Sequence, residues 1–194
     1  HITSSVINGL KEEFMKYHPK LLFIQGDTST AFAAALAAFF DKIPIAHIEA
    51  GLRTLDLMNP FPEEANRRLI SQISSLHFAP TEKAFLNLQK SGIKENCFIT
   101  GNTVIDSIKL LQSKNLEKSQ RFFNKLKENK LILVTIHRRE NWGNRLESIL
   151  DTLNLIVQRH KNIRLLLPMH KNQILRSKIE NNLGNNPQIL LTEP

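Results

Sequence analysis

Apolar positions along this chain fall into short runs rich in β-branched or aromatic residues, each followed by a stretch with helical spacing. Residues 21–25, Leu21-Leu22-Phe23-Ile24-Gln25, predict a buried strand, and residues 29–40 a helix apolar on most faces. Strands follow at 43–48, 76–79 and 97–100, with helices at 63–73, 81–90 (capped by Thr81) and from about 103. The polar, basic stretch from Gln112 to Lys130 interrupts the rhythm, which predicts a domain boundary near Lys114. Beyond it the pattern restarts with a strand at 131–135. Leu146, Ile149, Leu150, Leu153, Ile156 and Val157 then form an amphipathic stripe. A strand at 163–167, a helix at 171–183 and a strand at 189–191 complete the series. Strand and helix in alternation predict an α/β fold with parallel sheets, divided into residues 1–114 and 115–194. The last strand has no helix after it, so the second domain is expected to continue.

Polar residues cluster where each strand ends. Gly26-Asp27-Thr28-Ser29-Thr30 follows the first strand, and Glu49-Ala50-Gly51-Leu52-Arg53-Thr54 the second. Gly101-Asn102-Thr103, Ile136-His137-Arg138-Arg139-Glu140-Asn141 and Pro168-Met169-His170-Lys171-Asn172 follow three others. The carboxyl edge is where open α/β sheets bind ligands. Each cluster also has a plain structural reading. Asp27 and Thr28 suit a helix cap, Asn102-Thr103 a cap or an anion site, and His77 a core position. His47 and Glu49 are expected on one strand face because side chains alternate; without a third ligand they make no metal site. In Pro60-Phe61-Pro62-Glu63-Glu64-Ala65-Asn66-Arg67-Arg68, two prolines and two carboxylates suit the start of a helix. With Asp27 and Glu49 they also make an acidic rim, and His137-Arg138-Arg139 offers cations for a diphosphate. Carboxylates for acid/base work together with cations for phosphate point to a nucleotide-sugar enzyme.

Charge and composition narrow the partners. The chain has 194 residues, Lys+Arg 26 against Asp+Glu 18, and a net charge of +8, which favours anionic partners. Among the basic residues between Lys109 and Lys130 the aromatics are confined to the pair Phe122-Phe123 rather than spaced for stacking on successive bases, so nucleic acid is not expected. The longest apolar run, 31–40, is too short to span a membrane. A single cysteine, Cys97, excludes an intramolecular disulfide and fits a cytoplasmic protein. Neither a dinucleotide fingerprint nor a P-loop is present.

Gln25-Gly26-Asp27-Thr28, residues 47–54 (His47-Ile48-Glu49 to Thr54) and Pro62-Glu63-Glu64-Ala65-Asn66-Arg67-Arg68 resemble the non-hydrolysing UDP-N-acetylglucosamine 2-epimerases. So do Phe78-Ala79-Pro80-Thr81-Glu82, residues 100–106 and His137-Arg138-Arg139-Glu140-Asn141, with Pro168-Met169-His170-Lys171-Asn172 as a further match. Each motif alone is weak; six in order are specific. The resemblance implies two Rossmann-like halves of the GT-B kind, both incomplete here, with substrate between them. It implies interconversion of UDP-GlcNAc and UDP-ManNAc by UDP elimination and re-addition, without a cofactor, for bacterial surface polysaccharide. Asp27, Glu49, Glu63 and His137 match the family's catalytic positions. Asp27, Glu49, Arg138 and Asn102 are expected at the substrate, and Arg138 and His170 near a regulatory UDP-GlcNAc site. A homodimer is expected of the full-length form. The chain resembles only the middle of the family, so by itself it is expected to be inactive. A hydrolysing epimerase releasing ManNAc and UDP, or a non-catalytic remnant, are the alternatives.

Overall fold

The structure, a computed structural model, describes residues 1–113, 124, 130–137 and 142–194. The chain divides into two compact units, His1–Lys114 and Asn115–Pro194. In the first unit, β1 (Leu22–Gln25), β2 (Ile45–Ile48), β3 (Leu76–Ala79) and β4 (Cys97–Ile99) form a parallel sheet in the order β1-β2-β3-β4. Helices α1 (Ile2–Tyr17), α2 (Ser29–Phe40), α3 (Glu63–Ile73), α4 (Glu82–Lys90) and α5 (Thr103–Ser113) accompany it. In the second unit, β5 (Lys130–Leu133), β6 (Ile163–Pro168) and β7 (Ile189–Thr192) form a three-stranded parallel sheet. Two helices are described there, α6 (Asn144–Arg159) and α7 (Gln173–Leu183). The α/β class with parallel sheets is therefore as the hydrophobic pattern predicts. No described helix is long and apolar enough to cross a membrane.

The two cores are built from different residues. In the first unit, buried Ala31, Ala35, Ala37 and Ala38 of α2 meet Ile24 and Ile45 of the sheet and Ile70 of α3. Alanine carries no side-chain bulk beyond Cβ, so helix and sheet approach closely. In the second unit, Leu146, Leu150, Leu153 and Val157 of α6 pack with Leu165 and Leu167 of β6 and Leu175, Ile179 and Leu183 of α7. Truncating any one of these leucines removes roughly 2–5 kcal/mol.

The helix α1 is the main departure from the pattern, which predicts nothing before Leu21. Ile7, Leu10 and Phe14 lie three and four residues apart and pack on the α2 core, but Gly9 and a polar first turn obscure the stripe. The face of the first sheet opposite that core carries an aromatic row. Phe23 stacks on Phe78 at 6.5 Å and Phe78 meets Phe98 at 5.9 Å between ring centroids.

Candidate active site

The first turn after β1 is held from the neighbouring strand. The Gly26 N–H donates to the Ile48 carbonyl (3.1 Å), and His47 Nε2–H donates to the Gly26 carbonyl (2.8 Å). Gly26 has φ +75°, a conformation that glycine adopts without strain. The turn delivers Thr28 and Asp27 to different tasks. Thr28 Oγ1 accepts the Ala31 N–H at 3.1 Å and caps α2. Asp27 does not cap. Its Oδ2 pairs with Arg67 Nε at 2.6 Å, and its carbonyl accepts from Asn66 Nδ2 at 2.8 Å.

His47 is buried in β2 and, donating through Nε2, is in the neutral Nε2–H tautomer. Burial pushes its pKa down to about 4; the charges of His77 and Arg53 add to this, while the Gly26 carbonyl and Asp27 oppose it. Its Nδ1 is buried without a hydrogen-bond partner among the described residues. His77, its register neighbour in β3, is a core residue as expected, and burial lowers its pKa too.

Strand alternation does not reach Glu49, contrary to the expectation that it shares a face with His47. The strand β2 ends at Ile48, and Glu49 takes φ +70°, a left-handed conformation uncommon outside glycine. This backbone turns its carboxylate over the edge. Oε1 accepts from Asn102 Nδ2 at 2.7 Å, and a Cβ at Gly26 would lie 3.7 Å from Oε2. Glu49 is thus set beside the residue that precedes Asp27. Gly51 then locks the loop to α4: at φ +87° its Cβ position lies 2.1 Å from the Ala84 carbonyl, so only glycine fits. Its own carbonyl accepts from Asn87 Nδ2 at 3.0 Å.

The carboxylate that anchors the segment is Glu64, fully buried in the first turn of α3. It accepts the Thr54 N–H (3.0 Å), Arg67 Nη1 (3.3 Å) and Arg68 Nε (2.9 Å). Burial alone would raise its pKa, but these three donors together hold it below the usual carboxylate range. Arg53 joins the cluster through Ser71 Oγ at 3.1 Å. Arg67 links Glu64 to Asp27. Glu63, one residue earlier, is half-buried and its carboxylate makes no hydrogen bond among the described residues.

The structure thus brings Asp27, Glu49 and Asn102 to one edge. Arg67 and Asn66 were given no role from the sequence, and Glu64 was read only as helix-start charge and part of an acidic rim. Their signal was available in the spacing, since Glu64 with Arg67 and Arg68 makes i,i+3 and i,i+4 pairs on one helix face.

In the second unit, β5 ends at Leu133, earlier than the pattern predicts. Val134 still donates to the Leu166 carbonyl (2.8 Å), Ile136 is buried and His137 is exposed. Arg138 lies outside the described residues. His170 follows β6, and its Nδ1 accepts the Asn172 N–H at 3.1 Å, which leaves Nε2–H as the donor. Its ring meets Trp142 at 5.5 Å.

The profile of the UDP-N-acetylglucosamine 2-epimerase family matches residues 1–194. The UDP-N-acetylglucosamine 2-epimerase of Salmonella typhimurium is 40% identical over 203 residues, covering 100% of this chain and 54% of the relative. The crystal structure of the Neisseria meningitidis UDP-GlcNAc 2-epimerase bound to UDP-GlcNAc superposes with a TM-score of 0.92 at 40% identity, covering 99% of this chain and 54% of that one. The Methanocaldococcus jannaschii UDP-GlcNAc 2-epimerase, in complex with UDP-GlcNAc and UDP, gives 0.85 at 35% identity, with 99% and 54% covered. The chain spans about half the length of the curated relatives it matches. With the profile matched over every residue and the α/β fold shared with these enzymes, the chain belongs to the UDP-N-acetylglucosamine 2-epimerase family.

Proposed function

We propose that the protein carrying these residues is a non-hydrolysing UDP-N-acetylglucosamine 2-epimerase, interconverting UDP-GlcNAc and UDP-ManNAc for surface polysaccharide synthesis. The observation that carries the reading is the pair of carboxylates, Asp27 and Glu49, fixed at one sheet edge by Arg67 and Asn102. Glu49 Oε2 makes no hydrogen bond among the described residues, so a lone pair there is open to a substrate proton, whereas Asp27 Oδ2 is engaged by Arg67. In this reading a carboxylate takes the C2 proton of the sugar as the C1–O bond to UDP breaks. The glycal that results is reprotonated at C2 from the opposite face, and the UDP oxygen re-forms the bond to C1. Abstraction and return from opposite faces need more than one acid/base group, which Asp27, Glu49 and Glu63 supply. His137, with Arg138 next in the chain, stabilises the departing diphosphate. Arg138 and His170 belong to a second, regulatory UDP-GlcNAc site in the same reading, and the working form is a cytoplasmic homodimer.

Turnover in heavy water tests this. Deuterium is expected at C2 of UDP-ManNAc, with UDP still attached. Epimerised product without deuterium would overturn the carboxylate assignment, and release of free ManNAc with UDP would identify a hydrolysing enzyme instead.

A further inference from the structure

Asn102 makes two hydrogen bonds that fix the direction of its side-chain amide. Oδ1 accepts the Val104 N–H at 3.0 Å in the first turn of α5. The NH₂ end must then face the other way, where Nδ2 donates to Glu49 Oε1 at 2.7 Å. Asn102 follows β4 and Glu49 follows β2, so this bond reaches across the end of β3, which lies between them in the sheet. Gln25 Nε2, at the end of β1, also donates to Thr103 Oγ1 at 3.4 Å, so the start of α5 is tied to the edge at a second point. The amide holds one oxygen of a carboxylate whose backbone stands at φ +70°, and it leaves Oε2 on the side of Gly26 and Asp27.

We propose that Asn102 is a positioning residue for Glu49, directing the unbonded Oε2 toward the substrate proton; this rests on the epimerase reading above. The same side chain also caps α5, and the two roles are separable because they use opposite ends of the amide. Asn102→Asp keeps an acceptor for the Val104 N–H, and aspartate caps as well as asparagine. It replaces the donor toward Glu49 with an oxygen. Asn102→Ala removes both ends.

A purely structural role orders the variants with aspartate close to the unsubstituted protein and alanine worse. A positioning role reverses that order for catalysis. In steady-state assays of UDP-GlcNAc epimerisation by the full-length protein that carries these residues, Asn102→Asp is expected to lower kcat by about 100-fold, the scale of an ångström-sized misplacement. KM should stay within about threefold, since the lost contact serves the transition state rather than substrate binding. Thermal stability should fall in Asn102→Ala through the lost cap and in Asn102→Asp only through repulsion between the facing carboxylates, so kcat is compared at a temperature where each variant is folded. An Asn102→Asp protein with unaltered kcat, or one whose activity loss merely follows a loss of stability, would overturn the proposal. The contact itself is read without activity. In ¹H–¹⁵N spectra of the 194-residue chain, Glu49→Ala should move the Asn102 side-chain amide resonances, and unmoved resonances would overturn the geometry. If the unsubstituted full-length protein does not epimerise UDP-GlcNAc, the epimerase reading fails and the catalytic role fails with it, while the amide resonances still judge the contact.

Discussion

In the unit of residues 1–114, each bonded carboxylate at the sheet edge is held by a donor from a different element. Asp27 after β1 is held by Arg67 of α3, Glu49 after β2 by Asn102 after β4, and Glu64 of α3 by the Thr54 N–H of the preceding loop. In the unit of residues 115–194, the carboxylate after β7, Glu193, is exposed and pairs with Arg176 of α7, while the described contacts of the segment after β6 stay local. His170 bonds Asn172, and Asn172 bonds Ile174 and Leu175. His137 is exposed and makes no hydrogen bond among the described residues. Long-range ties fix charged groups before any ligand arrives, at the expense of desolvating them. Local ties only shape the ends of helices. The proposed function assigns acid/base chemistry, which needs fixed proton positions, to the first edge and charge presented to a phosphate to the second.

The largest expected effect is on turnover. Glu49→Gln preserves size and the Asn102 contact but cannot take up a proton at neutral pH, so kcat should fall by about 10²–10⁴-fold. A smaller loss would move the base elsewhere on the edge. Next is stability. Glu64→Ala leaves the Arg67 and Arg68 guanidinium groups without their buried partner and should remove roughly 3–5 kcal/mol from the first unit. Hydrogen exchange in α3 would report it. The emission of Trp142, the single tryptophan, should show the second unit unfolding as before. A loss spread equally over both units would break the distinction drawn between them.

How far this was readable in the sequence follows from what leaves a periodic trace. The stripe from Leu146 to Val157 and the strands of both sheets were legible because burial on one side repeats with a fixed period. The helix α1 was not, because Ile7, Leu10 and Phe14 are separated by polar residues and Gly9. The edge positions of Asp27, Glu49 and Asn102 followed from strand ends. The bond between Glu49 and Asn102, 53 residues apart, did not. It depends on Glu49 adopting φ +70°, which no residue type at that position announces. Glu64 was read as helix-start electrostatics, whereas the structure makes it the buried anchor of Arg67 and Arg68.

The buried histidines give the first unit a pH dependence. His47 has its pKa lowered to about 4 from 6.5, chiefly by burial. Between those values the unfolded chain binds a proton that the folded one refuses, so the stabilisation is full above pH 6.5 and is lost as pH falls through 6.5 toward 4. The shift corresponds to about 3 kcal/mol, with His77 acting in the same direction. Urea unfolding at pH 7.5 and 4.5, followed by amide exchange in β2, would measure it. A His47→Gln variant should lose most of that slope, and an unchanged slope would place the pH sensitivity elsewhere.

The smallest effect is expected at Asn172. Its Oδ1 accepts the Ile174 and Leu175 N–H groups at 3.0 and 3.2 Å, satisfying two of the donors that open a helix. Asn172→Ala should therefore cost about 1 kcal/mol. The loss should stop within the first turn of α7, because Leu175, Ile179 and Leu183 anchor the helix independently of the cap. His170 accepts from the backbone N–H of Asn172, which the substitution retains, so the ring should keep its place against Trp142. Trp142 emission then gives two readings from one urea titration. The midpoint should fall slightly, and the native spectrum should be unchanged. A native spectrum that moves, or a loss as large as that of Glu64→Ala, would mean that the cap supports more than its own turn, and the contrast between local and long-range ties would not hold for the segment after β6.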